Sequence, residues 1–102
     1  ITAAPPASLF LAQVSGDSMW ETLHHGDQVL VDRSRARATA DGIYALRFDQ
    51  DYGELVVKRV TIDPRDRSLT IASDNPKYET WRGVKSEDLR VVGRIIWIGR
   101  QV

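Results

Sequence analysis

Glu54-Leu55-Val56-Val57-Lys58-Arg59-Val60-Thr61-Ile62, Asp63-Pro64-Arg65-Asp66-Arg67 and Ser68-Leu69-Thr70-Ile71-Ala72-Ser73 follow one another without a gap. The outer two pieces are rich in β-branched residues, and the middle one is a cluster of turn formers, so the stretch reads as strand, turn, strand. Working outward, similar short apolar runs recur at residues 9–14, 28–32, 42–48 and 89–98, which gives six expected strands with 54–62 and 68–73. Asp49-Gln50-Asp51-Tyr52-Gly53 supplies a second hairpin turn between the third and fourth. Sustained period-3.6 patterns are absent, and the one helical piece expected is short, over residues 18–23. The expectation is a mostly β, largely antiparallel domain without internal repeats.

A chain of 102 residues has room for one core. Fourteen basic and fourteen acidic side chains cancel, so no net positive field draws it onto a phosphate backbone. Zero Cys excludes disulfide frameworks, Cys-based zinc sites and thiol nucleophiles, and fits a reducing, cytoplasmic setting. No apolar run approaches the roughly 18 to 20 residues of a membrane span. The start at Ile1 and the Pro5-Pro6 pair read as a linker remnant over residues 1–8 ahead of a domain over 9–102, with a further domain expected upstream.

Chemistry concentrates at Gly16-Asp17-Ser18-Met19, which follows an expected strand and opens the helical piece. There Ser18 would meet outward-pointing, unpaired backbone N–H groups. Such donors, aimed at a developing oxyanion, lower an acyl-transfer barrier by about 3 to 4 kcal/mol each. The same spacing, Ser18-x-x-Glu21, also fits an ordinary capping box. A nucleophilic serine needs a base. His24 and His25 are adjacent, point in different directions and read as solvated residues of a turn before Gly26; they match no metal-ligand pattern. Lys58 shares a strand face with Val56, Val60 and Ile62, while Leu55, Val57 and Arg59 lie opposite. If its face is the core face, burial favours the neutral amine and makes Lys58 a base; if it is the solvent face, Lys58 merely protects a sheet edge. Arg33, Arg35 and Arg37 read as a solvated loop.

Three ordered blocks then carry a resemblance. Val14-Ser15-Gly16-Asp17-Ser18-Met19 with Thr22-Leu23, Gly26-Asp27 and Val29-Leu30-Val31-Asp32 resembles the serine segment of the LexA, UmuD and phage-repressor peptidases. Leu55-Val56-Val57-Lys58-Arg59-Val60 is similar to their lysine segment, and Ser73-Asp74-Asn75-Pro76-Lys77-Tyr78 with Val91-Val92-Gly93-Arg94-Ile95-Ile96-Trp97 to a later turn and final strand. The resemblance implies a highly twisted, largely antiparallel β fold with one short helix at the nucleophile. It implies Ser18 as nucleophile, Lys58 as general base and the Ser18 and Met19 backbone N–H groups as oxyanion donors. Met19 would be buried beside the site, with Gly16 and Asp17 shaping the turn. No cofactor or metal is implied. Glu21 stands where the family often has proline.

Members cut themselves once, commonly at Ala-Gly or Cys-Gly, between a DNA-binding domain and this one. The first glycine here is Gly16, so a bond of that type is expected upstream of Ile1. The resemblance further implies stimulation by RecA filament, homodimerisation through the last strand at residues 94–98, DNA contact only through the upstream domain, and a role in the SOS response. Two other readings stay open: a dimerisation and antirepressor-binding module with an unused dyad, and a UmuD-like polymerase accessory subunit. Signal peptidase I has a similar serine and lysine but adds a membrane anchor, which this sequence does not display.

Overall fold

The computed structural model describes residues 6–48 and 54–101. Its strands are β1 (Leu9–Gln13), β2 (Gln28–Asp32), β3 (Gly42–Arg47), β4 (Val56–Ile62), β5 (Leu69–Ala72), β6 (Trp81–Val84) and β7 (Arg90–Gly99). They form one seven-stranded sheet in the order β1-β2-β7-β3-β4-β5-β6, with every adjacent pair antiparallel. The six expected strands are all present. The turn after β4 is built as its composition suggests: Asp63 N–H donates to Ser68 O, and Arg67 takes the left-handed conformation at φ 65°. The expected 49–53 turn lies outside the described residues, but β3 and β4 pair antiparallel on either side of it.

Neighbouring residues of β3 and β4 feed two cores on opposite faces of the sheet, as strand alternation requires. Ala45, with Val14, Met19, Leu23, Val29, Val31 and Ile95, forms one, and Leu55 and Val57 pack against it. Tyr44 and Leu46, with Val60, Leu69, Ile71 and Leu89, form the other, with Val56 and Ile62 packed alongside. Gly93 allows the close approach of β7 to β2, because a Cβ there would lie 2.6 Å from Asp32 O and 2.7 Å from a Val31 methyl. Two expectations need correction. Residues 18–22 form turns rather than a helix: Trp20 N–H reaches back three residues to Asp17 O, Leu23 N–H four to Met19 O, and no helical ladder continues from there. The described helical pieces are instead 3-10 turns at Pro6–Ser8, within the expected linker, and at Ser86–Asp88. The strand β6 was not anticipated, because Trp81-Arg82-Gly83-Val84 is short, almost wholly exposed and contains a glycine at φ 66°.

Candidate active site

Ser18 sits in a loop entered through Gly16, whose φ of 81° suits a residue without Cβ. The loop is fastened on two sides. Gly16 N–H donates to His25 Nδ1 at 2.9 Å, so His25 is tied to the loop rather than merely solvated. From the other side comes the turn of residues 73–78. Asn75 donates its backbone N–H to Ser18 O and its side-chain amide to Asp17 O, both at 3.0 Å. Tyr78 Oη–H donates to Asp17 Oδ1 at 2.5 Å, and Asp74 N–H lies 3.4 Å from Met19 Sδ. Thr22 donates its hydroxyl to Asp74 Oδ2, while Arg59 grips both oxygens of that carboxylate at 2.8 and 2.9 Å. The Arg59 guanidinium therefore holds the Asp74 carboxyl below the usual carboxylate range.

The expected Ser18–Glu21 capping box does not form. Among the described residues the Ser18 hydroxyl has no hydrogen-bond partner, and the Ser18 and Met19 N–H groups have no protein acceptor. Ser18 is half-buried, Met19 is buried, and Glu21 is exposed after a cis peptide bond from Trp20.

Lys58 lies on the β4 face that Val56 and Val60 share, one of the two faces that carry a core. It is only 8% exposed, next to Val60 along the strand and opposite Tyr44 on β3. Its Nζ donates to Ser73 Oγ at 2.7 Å and lies 5.7 Å from the centre of the Tyr78 ring. Among the described residues no carboxylate pairs with it. Burial without a counter-charge pushes the Lys58 pKa below the ordinary lysine value. A buried amine whose charged form is disfavoured, and a loop with an unengaged serine hydroxyl and N–H groups without a protein acceptor, are the kinds of group that acyl transfer uses. The 73–78 turn touches both: its first residue holds Lys58 and its third holds the Ser18 loop.

The remaining candidates fall elsewhere. His24 and His25 belong to no group of three or more ligating side chains among the described residues. The arginine cluster is divided: Arg33 covers the Phe10 ring at 5.3 Å, Arg35 pairs with buried Asp32 at 3.3 Å, and Arg37 is exposed. An open groove of about 1260 Å³ is lined by Phe10, Arg33, Arg37, Leu55, Arg67 and Leu89 among others, and neither Ser18 nor Lys58 borders it. The residues that sequence reasoning left without a role are Ser73, Asn75 and Tyr78. Their signal was the turn-forming Asn75-Pro76 pair, and the count across the hairpin that sets Ser73 opposite Lys58.

Known proteins bear on this arrangement. The chain is 32% identical over 94 residues to the 26 kDa repressor protein of Escherichia phage HK022, covering 90% of this chain and 38% of the repressor. It is 36% identical over 89 residues to Protein SamA of Salmonella typhimurium, covering 86% of this chain and 56% of that protein. It is 33% identical over 91 residues to an uncharacterized HTH-type transcriptional regulator of Haemophilus influenzae, covering 86% and 36%. The chain thus spans between about a third and somewhat over half of the length of these curated relatives. The Peptidase S24-like family matches residues 1–96, and with the relatives this shows that the chain belongs to the Peptidase S24-like family.

Proposed function

We propose that this is the self-cleaving and dimerising domain of a repressor-type protein, in which Ser18 attacks a peptide bond in a segment upstream of the domain. Neutral Lys58 takes the Ser18 hydroxyl proton and passes it to the leaving amine, and water then releases the acyl-enzyme. The Ser18 and Met19 N–H groups receive the oxyanion. The observation that carries this reading is the buried Lys58 amine, hydrogen-bonded to a neutral hydroxyl instead of a carboxylate and held by the same turn that fastens the Ser18 loop. The HK022 relative, named a repressor, supports the repressor context.

Dimerisation rests on a different surface. The last strand, β7, pairs with β3 over residues 90–94 and with β2 over residues 94–99, so among the described residues 95–98 have a strand partner on the β2 side alone and also offer a face. On that face Leu11, Leu30 and Trp97 form a cross-strand row, with Leu11 59% and Trp97 51% exposed. Pairing two such rows would remove apolar surface from water and double any attached DNA-binding module, raising its effective concentration on DNA. Trp97→Lys is expected to turn a dimer into a monomer by light scattering; an unchanged mass would contradict the role of this face.

The enzymatic reading is tested in the natural protein that carries the domain with its upstream segment, incubated over an alkaline pH series with and without RecA filament. Self-cleavage is expected to accelerate with pH and to vanish in Ser18→Ala and Lys58→Ala. Equal cutting in all three, or none in the parent even with RecA filament, would overturn it.

A further inference from the structure

We propose that Ser73 is the positioning residue for the Lys58 amine, so that the 73–78 turn presents both halves of the dyad from one rigid piece of chain. This rests on the serine-lysine reading above. A neutral amine has two N–H bonds and one lone pair, and it works as a base only when the lone pair faces the proton to be taken. Four flexible carbons do not fix that direction by themselves. Ser73 stands one position beyond the last paired residues of the hairpin, Arg59 and Ala72, so it faces Lys58 across the strands. It accepts an N–H from Lys58 Nζ at 2.7 Å. With one N–H directed to Ser73 and one flank closed by the Tyr78 ring, the lone pair is restricted to the remaining side, where the serine-lysine reading puts the Ser18 hydroxyl.

The surroundings leave this task to Ser73. Tyr44, facing Lys58 from β3, donates its hydroxyl to Ala40 O at 2.7 Å, and Arg94, opposite Tyr44 on β7, lies over the Tyr44 ring at 5.8 Å from its centre. From the turn, the Tyr78 hydroxyl is committed to Asp17, and the Asp74 carboxylate to Arg59 and Thr22. Ser73 thus supplies the polar contact to Nζ among the described residues, and it is continuous with Asn75, which holds Ser18 O. The hairpin itself is paired from Ile62–Leu69 to Arg59–Ala72 without using the Ser73 hydroxyl, so strand pairing does not explain it.

Two measurements on the 102-residue chain test this, each in wild type, Ser73→Ala and Ser73→Thr. One follows the Lys58 side-chain carbon next to Nζ by NMR through an alkaline titration. The other follows covalent capture of Ser18 by a fluorophosphonate, read by intact mass against pH. Removing the hydroxyl takes an acceptor from the ammonium, so Ser73→Ala should move the Lys58 midpoint to lower pH. It should also cut the plateau capture rate about ten- to a hundredfold, because the amine is no longer aimed. Ser73→Thr, which keeps a hydroxyl, should retain both within about threefold. If Ser73→Ala does not fold, Ser73→Cys, with its weak acceptor, carries the same comparison. An unmoved midpoint in Ser73→Ala, or a Thr variant as impaired as the Ala variant, overturns the proposal. No capture of wild-type Ser18 at any pH overturns the serine-lysine reading instead; the NMR midpoint then still decides whether Ser73 governs Lys58.

Discussion

Replacing Asn75 by alanine should cost the domain both stability and order at the Ser18 loop. Asn75 is 5% exposed and its side chain makes two hydrogen bonds, donating Nδ2–H to Asp17 O and accepting the Lys77 N–H at Oδ1, each at 3.0 Å. A net contribution of about 0.5 to 1.5 kcal/mol for each gives a loss of about 1 to 3 kcal/mol. In a domain of this size that lowers the thermal midpoint by on the order of 10 °C. Asn75→Asp retains the acceptor for Lys77 but turns a buried carboxylate oxygen toward the Asp17 carbonyl, so it should be at least as destabilising as Asn75→Ala. Thermal unfolding followed by circular dichroism measures the series. A midpoint for Asn75→Ala within about 2 °C of wild type would refute the reasoning, since one lost hydrogen bond alone predicts more.

Lys58→Met tests burial of the amine. The folded Lys58 pKa lies below the unfolded value of 10.5, so between the two the unfolded chain binds more protons and wild-type stability rises with pH. The Met variant should therefore be more stable near neutrality, by about 1.4 kcal/mol for each pH unit separating folded and unfolded midpoints, with the gain shrinking as pH approaches the unfolded value; urea unfolding at neutral and alkaline pH reads it. Asp27 is held at about 2, first by Arg100 and then by the His24 N–H, so its contribution is present above the ordinary value of 3.8 and is lost as pH falls toward 2. Arg100→Gln should flatten acid unfolding in that window. Gly93→Ala should destabilise by about 1 to 3 kcal/mol, because its methyl meets the Asp32 carbonyl and not a movable side-chain end; calorimetry checks this.

The strands were readable wherever β-branched runs met strong turn chemistry, as at Val56–Ile62 and Leu69–Ala72 around Asp63-Pro64-Arg65. Alternation also placed Lys58 with Val56 and Val60, though it could not say that both faces of the strand would be covered by a core. Tertiary contacts decided the rest. The 18–23 piece carries a capping pattern, yet Asn75 holds its first carbonyl at Ser18 and, with Tyr78, the preceding Asp17 from more than 50 residues away, and it stays a turn. The edge strand β6 has no buried stripe to betray it, and its pairing with β5 depends on that neighbour being in place. His25 could not be matched to Gly16 without knowing how the loop closes.

The central claim is that a buried, uncharged Lys58 activates Ser18, and the pH dependence of fluorophosphonate capture at Ser18 in wild type and Lys58→Met tests it most directly. The account predicts that wild-type capture rises with pH to a plateau, with a midpoint below that of an ordinary lysine, and that Lys58→Met loses both the rise and most of the rate. Identical profiles in the two proteins, or a probe that settles on a residue other than Ser18, would contradict it.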